Sequence, residues 1–197
     1  MIDKSKVIWY NKDSYRRNIR RCPIPKEAVV MSIKIVQLTQ SQLLGYLSVI
    51  RQSFHTVAET YGLPEENCVA SGSFIKMDQL MGDFRRGVKL FGCLCDGASA
   101  GYMQLEMTEP GKYTLDKVAV LPEYRGQGLG AQMVQYATNF ACKHGGQTLT
   151  VSVFAADKSL IEWYEKHGFL LRECITKEGL PLEVARLEKD LRGLVTD

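Results

Sequence analysis

The chain has 197 residues, 45% hydrophobic and 24% charged, with 17 Gly, 6 Pro and 9% aromatics, the make-up of one globular domain with an appendage and too little for two full domains. No apolar run approaches the roughly 18–20 residues of a membrane-crossing helix, and no charged-then-apolar leader opens the chain, so a cytoplasmic protein with no membrane partner is expected. The formal net charge is +3, but residues 1–30 carry eight Lys/Arg against three Asp/Glu, or +5, and residues 31–197 carry 17 − 19 = −2. The basicity therefore belongs to an N-terminal arm, with Arg16-Arg17 and Arg20-Arg21. Four arginines are a small electrostatic footprint, so no nucleic-acid partner is expected.

The compact domain begins near Met31, after Pro23 and Pro25 have interrupted any regular element. Ile33, Val36 and Leu38 suggest a first strand. Ser41 is then a candidate N-cap for a helix with Leu43, Leu44, Leu47, Ile50, Phe54 and Val57 at helical spacing, stopped by Gly62-Leu63-Pro64. Phe74 to Phe84 reads as a shorter helix. Val88 to Cys95, Ala100 to Met107 and Tyr113 to Val120 follow as three strands joined at Asp96-Gly97 and Glu109-Pro110-Gly111, an antiparallel meander.

A glycine loop, Arg125-Gly126-Gln127-Gly128-Leu129-Gly130, comes next and opens a helix that Gly145-Gly146 closes. Leu149 to Phe154 alternates as a strand, Lys158 to His167 is a helix ended by Gly168, and Phe169 to Ile175 with Leu182 to Leu187 form a closing hairpin. The fold class is therefore α/β of the α+β kind: a mixed, mostly antiparallel central sheet flanked by helices. Cys22, Cys68, Cys93, Cys95, Cys142 and Cys174 are scattered without C-x-x-C, and His55, His144 and His167 have no ligand spacing with them, so neither a disulfide scaffold nor a metal site is indicated.

Glycines at alternate positions between a strand and a helix let the backbone take conformations closed to other residues and aim its N–H groups at one point. A phosphate is the natural tenant, with Arg125 as a charge beside the loop and Leu129 anchoring the helix in the core; a tight packing turn is the alternative. Gly126-x-Gly128-x-x-Ala131 also matches the dinucleotide fingerprint literally, with Asp157 as a ribose ligand. That fingerprint belongs in the first strand-helix-strand unit of a parallel sheet, however, and Asp157 stands thirty-one residues past Gly126 rather than about twenty.

The loop together with Val118-Ala119-Val120-Leu121-Pro122-Glu123-Tyr124 before it and Trp163-Tyr164-Glu165-Lys166-x-Gly168-Phe169 after it resembles the GNAT, or Gcn5-related N-acetyltransferase, superfamily, whose acetyl-CoA loop reads [RQ]-x-x-G-x-[GA]. The resemblance covers residues 31–197 and implies the GNAT-like acyl-CoA N-acyltransferase fold. It also implies that acetyl-CoA is the co-substrate, without a metal. Its pantetheine would lie along Val118, Ala119 and Val120, its pyrophosphate on the amides of Arg125, Gly126, Gln127, Gly128, Leu129 and Gly130, and its thioester carbonyl against an N–H near Ala119 or Val120. Tyr164 is the implied acid toward the departing thiolate.

Asp157 stands where many members carry a coenzyme-contacting Asn, and it also suits an N-cap. Thr114 stands where many carry a Glu base, which leaves Asp116 and Glu106 as substitutes acting through water, each with a surface role as its alternative. Cys93 and Cys95 read as small buried hydrophobes.

The activity implied is acetyl transfer to a primary amine of an unidentified acceptor, small molecule or protein, by direct attack in a ternary complex. Glu59, Glu65, Glu66 and Glu183 lean toward a cationic one. The rivals are a non-catalytic acyl-CoA sensor and a nucleotide-dependent oxidoreductase. A homodimer is admitted without being specified, and deletion of residues 1–30 is expected to leave coenzyme binding unchanged.

Overall fold

The computed structural model describes residues 31–63, 72–176 and 181–194; the basic arm, Cys22, Cys68, Glu65 and Glu66 lie outside them. Seven strands and four helices run in the order β1 (Ile33–Gln37), α1 (Leu43–Tyr61), α2 (Met77–Arg85), β2 (Lys89–Cys95), β3 (Ala98–Glu109), β4 (Lys112–Val120), α3 (Leu129–Lys143), β5 (Thr148–Phe154), α4 (Lys158–Lys166), β6 (Leu170–Thr176) and β7 (Glu183–Asp190). They form one sheet in the order β1-β2-β3-β4-β5-β7-β6. Every neighbouring pair is antiparallel except β4 with β5.

Alternation along the central strands gives the sheet two apolar faces. Leu90 and Tyr102 face α1 and α2, where Leu43, Tyr46, Ile50 and Leu80 are buried. Phe91 and Met103, one residue on, face α3 and α4 and pack with Leu129, Met133, Ala137, Ile161 and Phe169. The meander turns where expected, with Asp96 at φ 48° and Gly97 at φ 85°, the positive pair a two-residue hairpin requires.

Both early helices begin differently from the sequence expectation. Ser41 lies inside a 3₁₀ turn, Gln40–Gln42, whose box is set by Thr39, its N–H donating to Gln42 Oε1 at 2.9 Å, and Gln42 is the N-cap of α1. Leu44 is 69% exposed, and the buried stripe runs instead through Leu43, Tyr46, Val49, Ile50 and Ser53. The second helix starts at Met77 rather than Phe74, because Gly72–Phe74 closes as a separate 3₁₀ turn.

Cys93 and Cys95 are buried among these apolar side chains, as expected, and burial pushes the Cys93 thiol up to about 11. Cys174 on β6 is free and exposed. Labelling with a thiol reagent at pH 7, read by peptide mass mapping, is therefore expected to modify Cys174 and spare Cys93, since the thiolate is the reactive form. Equal labelling of both would mean that β2 opens in the native protein.

Candidate functional site

The functional cleft follows from one break in the sheet. β4 and β5 pair only through Lys112 to Thr114 against Thr148 to Thr150, whereas β5 continues to Phe154 fully paired with β7. Past Thr114 the two parallel strands diverge, and the β5-facing backbone of β4 is left without a ladder partner. On its other side β4 carries a bulge: Ala119 pairs with Tyr102 and Asp116 with Gln104, so Lys117 and Val118 together oppose Met103. Lys117 sits at φ 50°, one of two described non-glycine residues with positive φ.

The glycine loop stands at the end of that open edge. Gly126 (φ 73°) and Gly128 (φ 83°) use backbone conformations that disfavour other residues, and a Cβ at either would project into open space. Among the described residues, no acceptor within the protein takes the N–H groups of Gly126 through Ala131; the first bond of α3 is Gln132 N–H to Gly128 O, 3.1 Å. A row of free donors at the positive end of a fifteen-residue helix is an anion cradle. Leu129 is buried beneath it, as expected.

Arg125 plays a different part from the one expected of it. Its N–H is taken by Pro122 O (3.2 Å), so the run of free donors starts one residue later and extends to Ala131. Its guanidinium donates to Ser53 O (2.7 Å), Thr56 Oγ1 (3.0 Å) and Val120 O (3.1 Å). Arg125 thus clamps the loop to α1 and to the last carbonyl of β4.

Two cavities fill the cleft. The larger, about 640 Å³, runs from Gly126, Gly128 and Gly130 along Val118, Ala119 and Val120 to Tyr164; Ser53, whose buried Oγ has no partner among the described residues, lines its α1 wall. The smaller, about 170 Å³, lies between the diverging strands and is lined by Asp116, Lys117, Phe154 and Asp157 among others. They share Phe54, Val57, Val118, Leu160 and Tyr164, and of these only Tyr164 can ionise.

Tyr164 is 4% exposed. Its ring meets Trp163 and Phe169 edge-on, with centroids 4.9 and 5.4 Å away. Burial first, and the Asp116 carboxylate second, push its phenol above the ordinary value of 10.0. Asp116 shares a face with Thr114, as period two predicts, and its Oδ2 lies 3.2 Å from Lys117 Nζ. Lys117 also meets Asp83 Oδ2 at 3.7 Å, and the Gln104 amide, oriented by its hydrogen bonds, turns its oxygen to Lys117 Nζ at 2.9 Å.

Glu106 is half-buried opposite Thr114 and lines neither cavity. Asp157 caps α4, its Oδ1 accepting from Leu160 N–H (3.0 Å) and Ser159 Oγ (2.8 Å), while also lining the smaller cavity. Glu59 and Glu183 line neither cavity; Glu59 pairs with His55 at 3.4 Å. The α1 wall of Ser53, Phe54 and Val57, and the Lys117 bulge, are parts of the site that reading the motifs alone did not find.

A diverging parallel strand pair, a bulged open edge and a glycine cradle at the next helix together form one cleft with an anion-binding end. The model of the acetyltransferase (GNAT) family matches residues 43–169, and the chain belongs to that family. An uncharacterized N-acetyltransferase from the pepI 3′ region of Lactobacillus delbrueckii subsp. lactis is 23% identical over 147 residues, 69% of this chain and 83% of that protein. Among solved structures, the PaiA N-acetyltransferase of Thermoplasma acidophilum in complex with coenzyme A superposes with TM-score 0.66 at 20% identity, over 81% of this chain and 99% of that one. The yncA protein of Salmonella typhimurium with its cofactor acetyl-CoA does so with TM-score 0.63 at 13% identity, over 83% and 96%. The dinucleotide reading fails on topology: β4 and β5 are the only parallel pair among the described strands, and the loop follows the fourth strand rather than the first.

Proposed function

We propose that this protein transfers an acetyl group from acetyl-CoA to a primary amine by direct attack in a ternary complex. The observation that carries the reading is the meeting of a cofactor-sized cavity and a smaller acceptor cavity at Tyr164.

The residues present fit the co-substrate. The free N–H groups of Gly126 through Ala131 suit a pyrophosphate, and the open edge of β4 along Val118 to Val120 suits an extended amide-bearing arm that adds to the sheet as a strand would. Bound acetyl-CoA supplies an acetyl thioester, whose C–S bond is exchanged for a C–N bond to the amine. Main-chain N–H groups of the bulged strand near Ala119 and Val120 polarise the carbonyl, using no side chain.

The amine enters as an ammonium, and two protons leave its nitrogen overall. One passes through Asp116, which lies on the acceptor side, and on to solvent. The other is balanced by the proton that Tyr164 Oη gives to the departing sulfur, after which the phenolate is reprotonated. Arg125 holds α1, the cradle and β4 in one frame and is a positioning residue. Asp157 orients α4, and with it Tyr164, through the cap; Glu106 has no place in this scheme.

Calorimetric titration with acetyl-CoA, with NADH in parallel, tests the cofactor half, and release of free coenzyme A in the presence of amines tests the transfer. Saturable binding of acetyl-CoA alone and amine-dependent thiol release are the expected results. Tight binding without turnover on any amine would favour an acyl-CoA sensor, and absence of binding by folded protein would overturn the reading.

A further inference from the structure

The smaller cavity specifies the kind of amine. This inference rests on the N-acetyltransferase reading above and deepens it. The uncharged part of the cavity not shared with the cofactor side is walled by Leu115 of β4, Val151, Val153 and Phe154 of β5 and Val184 of β7, with Ser152 and Gly72 completing it. Its charged lining residues are Asp116, Lys117 and Asp157.

Lys117 is already committed, its ammonium lying between Asp83 and Asp116 with the Gln104 oxygen as a third partner. Asp83 is buried at 7% exposure, with Oδ1 on the Arg86 guanidinium at 2.6 Å and Oδ2 turned to that ammonium at 3.7 Å. One Oδ of Asp157 is spent on the α4 cap. Two carboxylates against one paired ammonium leave the space with a single unit of negative charge, enough for one cationic group.

A second ammonium would have to leave water for a wall of valine, leucine and phenylalanine whose only other polar groups are the Ser152 hydroxyl and the main chain. About 170 Å³ is room for roughly six water volumes, which matches one compact ring or branched alkyl group. The junction with the cofactor cavity holds Tyr164, and Asp116 lines the same smaller cavity, so the reacting end lies there. Phe154 and Val184 line only the acceptor side and receive the other end.

We propose that the acceptor is a primary monoamine on a compact apolar body, aryl or branched alkyl, that enters amine-first between Asp116 and Tyr164. Polyamines and peptide N-termini are disfavoured.

The test compares phenethylamine and isoamylamine with spermidine and an alanine-ended peptide in a thiol-release assay at saturating acetyl-CoA. Titration of N-acetylphenethylamine into the protein–coenzyme A complex serves as a readout without turnover. The expected kcat/KM for phenethylamine exceeds that for spermidine and the peptide by about 100-fold or more, and the acetylated product binds saturably. Phe154→Ala is expected to lower phenethylamine kcat/KM about tenfold with acetyl-CoA affinity unchanged. Isoamylamine turnover serves as a second check, since it uses the same wall without the ring.

Spermidine or the peptide matching phenethylamine overturns the proposed class. So does failure of both apolar amines while acetyl-CoA binds normally, leaving the cofactor reading standing. Loss of acetyl-CoA binding itself overturns the N-acetyltransferase reading beneath both.

Discussion

Replacing Gly128 by glutamate is expected to weaken acetyl-CoA binding by at least about 100-fold, measured by calorimetry, with the fold intact by circular dichroism. Gly128 is the N-cap of α3 at φ 83° and ψ 0°, and its missing side chain faces the open cradle. A carboxylate there meets the pyrophosphate at close range. Two like charges 4 Å apart at an effective dielectric of about 20 repel by about 4 kcal/mol, and solvent screening at this exposed loop still leaves about half of that. Gly128→Ala separates the causes, because it adds the strain of a left-handed residue, about 1 kcal/mol, without charge. Its affinity should fall tenfold or less. Equal affinity for wild type and Gly128→Glu would mean that the phosphates bind elsewhere and that the free N–H row serves the packing turn alone.

That cradle was legible because its physics is local. Alternate glycines between a strand and a helix need no tertiary partner to declare themselves, and Leu129 was placed in the core by helical period alone. The Lys117 bulge is also written locally. Tyr113 and Leu115 occupy odd positions, then Val118 and Val120 even ones, yet all four side chains meet the same face of the sheet. An apolar phase that slips by one within a strand is the signature of an inserted residue.

What could not be read is what distant segments do to one another. The guanidinium of Arg125 bonds across 72 positions to Ser53, and nothing around Arg125 distinguishes a clamp from a phosphate ligand. Glu106 and Asp116 were equivalent as strand carboxylates. Only the divergence of β4 from β5 after Thr114 puts Asp116 on the cleft and leaves Glu106 off it. Glu59 and Glu183 likewise belonged to the right elements but line neither cavity.

Tyr164→Phe is expected to lower kcat by about 100-fold or more, the ordinary contribution of a positioned general acid, while the acetyl-CoA dissociation constant changes less than threefold. The substitution keeps the ring that packs on Trp163 and Phe169 and removes only an oxygen that no described residue hydrogen-bonds, so thermal stability should barely move. The sign of the pH effect follows from burial. The protonated phenol is the neutral form, burial disfavours the phenolate, and the group therefore titrates above its ordinary value of 10.0 and stays protonated through the working range. An alkaline limb below pH 10 should therefore survive in Tyr164→Phe unaltered, because it belongs to another group. Leaving-group acidity separates proton donation from packing. With an aryl thioester, whose thiolate leaves without help, the penalty for losing the hydroxyl should shrink toward unity, whereas a packing defect would slow both thioesters alike. Undiminished kcat in the variant would reduce Tyr164 to a core residue and return the search for the acid to solvent.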